Sequence, residues 1–150
     1  MSKRYSYLNS YRMQAYNNAL TDWYYQDRVF RPAGRPVIFN QQGLVLITKM
    51  KDLWAIPGGG LDWGESLATN IARESFEELG VQADIDQIIF IQDYLAEKPP
   101  LGWHHLEYFY SIKNNEDFEN ILETYQTASH THELDELMWC DIDSFPENFM

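Results

Sequence analysis

The stretch from Pro57 to Val81, PGGGLDWGESLATNIARESFEELGV, constrains the fold more than any other part of the chain. Gly58, Gly59 and Gly60 follow a proline, so the backbone there can turn tightly and bring a main-chain carbonyl close to a neighbour. Residues 66–79 then repeat apolar positions at helical spacing, and Gly80 is a natural helix stop. At about 100° per residue, Leu67, Ala68, Ile71, Ala72, Phe76 and Leu79 fall in an arc of roughly 180°, predicted to face the core. Glu74, Glu77 and Glu78 fall in an adjoining arc of roughly 100°, with Cβ atoms about 5–6 Å apart. Such pairs repel by about 0.2–0.5 kcal/mol on an isolated helix, and by roughly 3 kcal/mol in a partly dehydrated cleft. Only Arg73 lies close by to offset them.

A solvated helix face is the plain reading of three such glutamates. The glycine loop beside them favours another. Clustered carboxylates with a main-chain carbonyl make an all-oxygen site, which hard divalent cations prefer, Mg²⁺ before Ca²⁺. On that reading the missing positive charge is a metal ion.

The surrounding sequence predicts strands. Val37–Phe39 and Leu44–Thr48 flank the turn sequence NQQG and read as a β-hairpin. LWAI at 53–56 is a short strand, QIIFIQDYL another, and WHHLEYFYSI a third; EKPPLG between the last two reads as a loop, because proline cannot sit in a central strand. LMWCDI is a last strand, and SFPENF resembles the start of a helix. Residues 119–132 are ambiguous, with a helical turn suggested by Ile121, Leu122 and Tyr125. Near the start, Tyr16, Leu20, Trp23 and Tyr24 recur at helical spacing, so about 10–26 is predicted to be an amphipathic helix. It packs on the domain or on a second copy of it, or offers rings to a nucleobase. Strands on both sides of a central helix indicate a mixed sheet covered by helices. The 150 residues, 45% apolar, suffice for one such core.

Net charge is −12. So acidic a surface repels nucleic-acid phosphates and anionic lipid heads, which argues against a nucleic-acid polymer or a membrane as partner. No run of eighteen apolar residues suggests a membrane span. The start MSKRYSYLNSYRMQ lacks the apolar stretch of a secretory signal, and the single cysteine, Cys140, fits a reducing compartment, so a cytoplasmic location is expected. An anionic ligand would need a metal ion or a local basic patch. Lys49 and Lys51 follow the second strand, with a solvated turn as the alternative. Arg28, Arg31 and Arg35 concentrate positive charge and meet either phosphate or the chain's own carboxylates. His104 and His105 are adjacent, without a second cluster at zinc-ligand spacing. Trp103, Tyr108 and Tyr110 line a base or sugar pocket, or pack in the core.

Taken together, Gly59, Glu65, Arg73, Glu74, Glu77, Glu78 and Gly80 resemble the box of the Nudix hydrolases, the MutT-like enzymes acting on nucleoside diphosphates linked to another group. That box reads Gly, five residues, Glu, seven residues, Arg-Glu-aliphatic-any-Glu-Glu-any-Gly-aliphatic. All seven fixed positions match, a chance on the order of 10⁻⁸ per starting point if each residue type is near one in fifteen. Ser75 stands where the family has an aliphatic residue. VLITKMKDLWAIPGGG also resembles the strand, basic pair and Trp leading into the family's loop, and HELDELMWCDIDSFP resembles its closing strand.

The resemblance implies an α+β fold: an α/β/α sandwich with a mixed β-sheet over residues 31–150, preceded by an N-terminal helical extension over 1–30. It implies Mg²⁺, with Mn²⁺ as substitute, held by Glu74, Glu77, Glu78 and the carbonyl of Gly58. Arg73 would pair with Glu65 and orient the loop. Glu74 and Glu133 are joint candidates for the catalytic base, with His132 and Glu136 as competitors to Glu133. Lys49, Lys51 and Arg35 are candidate substrate contacts. The implied reaction is hydrolysis of a pyrophosphate linkage in a small nucleotide: a nucleotide sugar, ADP-ribose or a nucleoside triphosphate. A non-catalytic nucleotide-binding module on the same fold is the alternative, and a homodimer is a further candidate assembly.

Overall fold

The computed structural model of the chain describes residues 28–98, 101–125 and 134–150. The helix expected over 10–26 and the candidate base Glu133, with His132, lie outside them. In chain order the described elements are β1 (Arg28–Val37), β2 (Val45–Met50), β3 (Leu53–Ala55), β4 (Gly59–Gly60), α1 (Leu67–Leu79), β5 (Ile85–Lys98) and β6 (Leu101–Ile112). A 3₁₀ turn (Asn115–Phe118), a single helical turn α2 (Ile121–Thr124) and β7 (Glu136–Cys140) follow. The strands form two sheets, ordered β4-β1-β6-β5 and β3-β2-β7. β2 runs antiparallel to both its neighbours, with Leu46 opposite Trp139 and Lys49 opposite both Trp54 and Glu136.

The chain divides into two units. Pro32–Asp93 with Leu106–Met150 form one, and it holds the glycine loop, α1 and the whole second sheet. The other contains Arg28–Arg31 and the strand ends from Tyr94 to His105, where the Tyr94 and His105 rings stack at 4.6 Å and His104 meets Phe30 edge-on at 5.4 Å.

Within the larger unit, VLIT at 45–48 is buried on both faces, which is why it reads as a continuous apolar run rather than an alternation. Leu46 joins Ile38, Ile71, Leu79, Ile112, Phe118 and Ile121 in one cluster; Val45 and Ile47 join Val37, Trp54, Ile56, Phe109 and Cys140 in another. Ile71 and Leu79 of α1 are buried almost completely, each stabilising the docked helix by about 1.5–3 kcal/mol. The NQQG turn forms as expected: Asn40 Oδ1 accepts from the amides of Gln42 and Leu44, and Gly43 takes a left-handed backbone.

Three expectations are corrected. The core-facing arc of α1 is turned by roughly 60° from the apolar arc. Ala68 and Phe76 are exposed, while Asn70 and Glu78 are buried beside Ile71 and Leu79; Ser75, in the middle of the apolar arc, is buried as its position there implies. Apolarity alone misplaces the face because the polar groups of Asn70 and Glu78 are satisfied inside, accepting from the amides of Gly34 and Gly58; Ser75 Oγ likewise donates to Ala72 O and accepts from Ala83 N. The EKPPLG loop is shorter than expected, since β5 runs to Lys98 and β6 starts at Leu101. SFPENF starts no helix. Phe149 bridges Trp54, whose N–H and C=O bond to Asn148 and Met150, so the tail completes the backbone pairing of β3; the Phe145 and Phe149 rings stack at 4.0 Å.

Candidate active site

The site is built where the glycine loop meets α1. Ser66 caps the helix, its Oγ accepting from Thr69 N–H, and Gly80 ends it in a left-handed conformation with its N–H on Phe76 O. Asn70, fully buried one turn in, ties the helix to two strands: its Oδ1 accepts from Gly34 N–H of β1, and its Nδ2 donates to Gly60 O of β4. A Cβ at Gly34 would stand 2.5 Å from Asn70 Oδ1 and 2.6 Å from Ile71 Cγ1, so only glycine permits this approach.

The two loop glycines meet the glutamates directly. Gly58 has φ +112°, and a Cβ there would stand 2.3 Å from Gly34 O. Its N–H donates to Glu78 Oε2 at 2.9 Å, which explains how a glutamate can be buried on the core side of α1. At Gly59 an added Cβ would stand 2.7 Å from Glu74 Oε1 and 2.8 Å from Glu74 Cδ and Oε2. The missing side chain is thus a cradle for the Glu74 carboxylate. Burial pushes the Glu74 carboxyl above the ordinary carboxylate range, against the pull of Arg73.

Arg73 stands among the acids. Its Nε and Nη2 hold Glu65 bidentately at 2.8 and 3.0 Å, while Nη1 reaches Glu74 Oε1 at 2.9 Å and Glu77 Oε2 at 3.0 Å. The fork lowers the Glu65 carboxyl to about 2, and Glu65 in turn raises Arg73. Asp62 lies 3.9 Å from Nη2, so one guanidinium faces four carboxylates, with Glu78 held on the Gly58 amide. The stripe keeps a surplus of negative charge in a partly dehydrated setting.

This donor set suits a hard divalent cation: carboxylate oxygens in excess of the local cations, next to a glycine whose absent side chain leaves room at Glu74. Among the described residues no three acidic, histidine or cysteine side chains already converge as a finished cage. Arg73 spans Glu65, Glu74 and Glu77, so an ion would have to take over its Nη1 contacts.

The remaining candidates are dispersed. Lys49 pairs with Glu136 at 3.4 Å and lies over the Trp54 ring at 5.5 Å. Lys51 turns the β2–β3 corner with φ +57°, its amide donating to Asp135 Oδ2, which is a turn role for its backbone. Arg35 donates to Glu107 and to the carbonyls of Ile56 and Gly58, so the salt-bridge alternative describes it. Asn70 and Glu107 are the residues the sequence reading missed. Asn70 is a polar residue within a helical pattern and Glu107 one within the strand pattern WHHLEYFYSI; a polar residue at an inward position was the available signal.

A family model described as the NUDIX domain matches residues 30–150. The chain belongs to the Nudix family. It is 43% identical over 54 residues to the RNA pyrophosphohydrolase of Wolbachia sp. subsp. Brugia malayi, 34% of each chain. The chain spans less than half the length of the curated relatives it matches. Among solved structures it is similar to the MutT NUDIX hydrolase of Burkholderia pseudomallei, with TM-score 0.60, 20% identity, and coverage of 81% of this chain and 91% of that one. An ADP-ribose pyrophosphatase of Streptococcus suis gives TM-score 0.52 at 19% identity, covering 77% of both. At such identities these structures speak for the fold, which is the expected α+β Nudix type.

Proposed function

We propose that this chain is a divalent-metal-dependent hydrolase of a pyrophosphate linkage in a nucleoside diphosphate joined to another group, working with Mg²⁺ and accepting Mn²⁺. The observation that carries the reading is the Glu74 carboxylate seated on Gly59, desolvated and raised in pKa, in a stripe whose charge Arg73 only partly offsets. A bound cation would neutralise the diphosphate and make a water more acidic. Glu74, Glu77, Glu78 and the Gly58 carbonyl are the groups we assign to hold it. Arg73, anchored on Glu65, keeps α1 and the loop aligned. Glu74, seated against the glycine loop, and Glu133 are joint candidates for the base that takes a proton from the attacking water. No covalent intermediate is required. Residues 31–150 would carry the reaction, with 1–30 as an extension.

The relatives' names include RNA and ADP-ribose pyrophosphatases. A chain of net charge −12 favours the small nucleotide over the polymer. No helix among the described residues is long and apolar enough to cross a membrane. The test is a panel of ADP-ribose, nucleotide sugars, oxidised nucleoside triphosphates and an RNA with a 5′ pyrophosphate linkage, assayed with Mg²⁺. Glu77→Gln and Glu78→Gln should lose at least about 10²-fold in kcat/KM. The Glu78→Gln fold should persist, because the amide oxygen can still accept from Gly58 N–H. Near-full turnover in both variants would refute the site. Nucleotide binding without turnover by the unaltered protein would favour the non-catalytic module.

A further inference from the structure

Arg35 and Glu107 form a largely buried ion pair beside the carbonyl of Gly58. Their side chains are 14% and 7% exposed, and the Arg35 Nη2–Glu107 Oε1 distance is 2.7 Å. Arg35 Nε also donates to Glu107 Oε1, at 3.1 Å. The rest of the guanidinium is aimed at the loop: Nη1 donates to Ile56 O at 3.1 Å and to Gly58 O. Gly58 is thus held at both polar atoms, its N–H by Glu78 and its C=O by Arg35. Its φ of +112° and its approach to Gly34 O leave little freedom between those two bonds.

A buried ion pair is weak evidence for stability, since desolvation cancels much of the attraction. Placing one behind a glycine carbonyl has a different use. A carbonyl oxygen has two lone pairs; a rigid donor on one fixes the direction of the other. Glu107 fixes the guanidinium, the guanidinium fixes the Gly58 carbonyl, and Glu107 balances the charge that would otherwise sit next to a bound cation.

We propose that Arg35 and Glu107 are positioning residues that set the orientation of the Gly58 carbonyl for the metal ion, rather than contacts to substrate. This rests on the metal-site reading above. Lysine at position 35 is the discriminating change. It keeps the charge that neutralises Glu107, but a single ammonium cannot span Glu107, Ile56 O and Gly58 O as the planar fork does.

The experiment measures Mn²⁺ binding by electron paramagnetic resonance in the full chain and in Arg35→Lys, with amide hydrogen exchange at Gly58 in metal-free protein. A double variant, Arg35→Met/Glu107→Gln, covers the case in which the lysine variant fails to fold. Loss of a group that orients a metal ligand costs 10–100-fold in metal affinity, so Kd for Mn²⁺ should rise by that factor. Gly58 exchange should quicken, and the metal concentration for half-maximal activity should rise more than KM for nucleotide. Unchanged Mn²⁺ affinity and unchanged Gly58 exchange in a folded variant would overturn the proposal and leave an ordinary ion pair. If the unaltered chain binds no Mn²⁺, the metal-site reading itself falls, and this role with it.

Discussion

Replacing Gly59 with alanine separates the site from the fold. A Cβ at Gly59 would stand 2.7 Å from Glu74 Oε1, against ordinary contact beginning near 3.4 Å, so the carboxylate must withdraw by about 0.7 Å. The three atoms nearest that methyl all belong to the Glu74 carboxylate, and Gly59 does not use a left-handed backbone. Alanine therefore stabilises by about 0.4–1 kcal/mol through the unfolded chain, while loosening the 2.9 Å bond from Arg73 to Glu74 costs about the same. Net stability should stay within about 1 kcal/mol, read as a midpoint change of a few degrees. Function should not be spared: a shift approaching 1 Å at a reacting or ligating group costs roughly 10²-fold. The assays are thermal unfolding, Mn²⁺ affinity and kcat/KM on the best substrate of the panel. Gly58→Ala is the contrast, since its Cβ would strike backbone, Gly34 O at 2.3 Å, from a left-handed residue, and it should cost several kcal/mol. A Gly59→Ala protein with unaltered metal affinity and turnover would refute the reasoning.

Two further outcomes are expected. Asn70→Ala strips the buried Gly34 N–H of its Asn70 acceptor, while Gly60 C=O keeps the 3.3 Å bond from Arg73 Nη2, and should cost about 1–3 kcal/mol in urea unfolding; a loss below about 1 kcal/mol would show that the helix-to-strand tie is replaceable. Glu65 has a lowered folded pKa, so its contribution is fully present above the ordinary value of 4.5 and is lost as pH falls toward about 2. The stability gap between the unaltered chain and Glu65→Gln, followed by denaturant titration, should therefore narrow over that window, and a gap constant with pH would contradict the Arg73–Glu65 account. Glu74 has the opposite sign: with its folded pKa raised, its ionisation opposes folding as pH rises.

The sequence by itself determined the helix from Leu67 to Leu79, its stop at Gly80, the turn at Asn40–Gly43, most of the strands and the family. These follow from local periods, turn chemistry and a spacing carried within one continuous segment. It left open how α1 is rotated and what its neighbours do. Phe76 reads as core and is exposed, while Asn70 and Glu78, outside the set read as core, are buried, because their partners, the amides of Gly34 and Gly58, come from other segments. Arg35 carries no mark in the sequence that separates a phosphate contact from a structural cation. Only folding β1 beside β6 brings Glu107 to it, 72 residues away, and only the loop's return brings Gly58 O within its reach. The tertiary structure decided these points because burying a charge or an amide is tolerable only where a partner is delivered from elsewhere, and that delivery is a property of the whole fold.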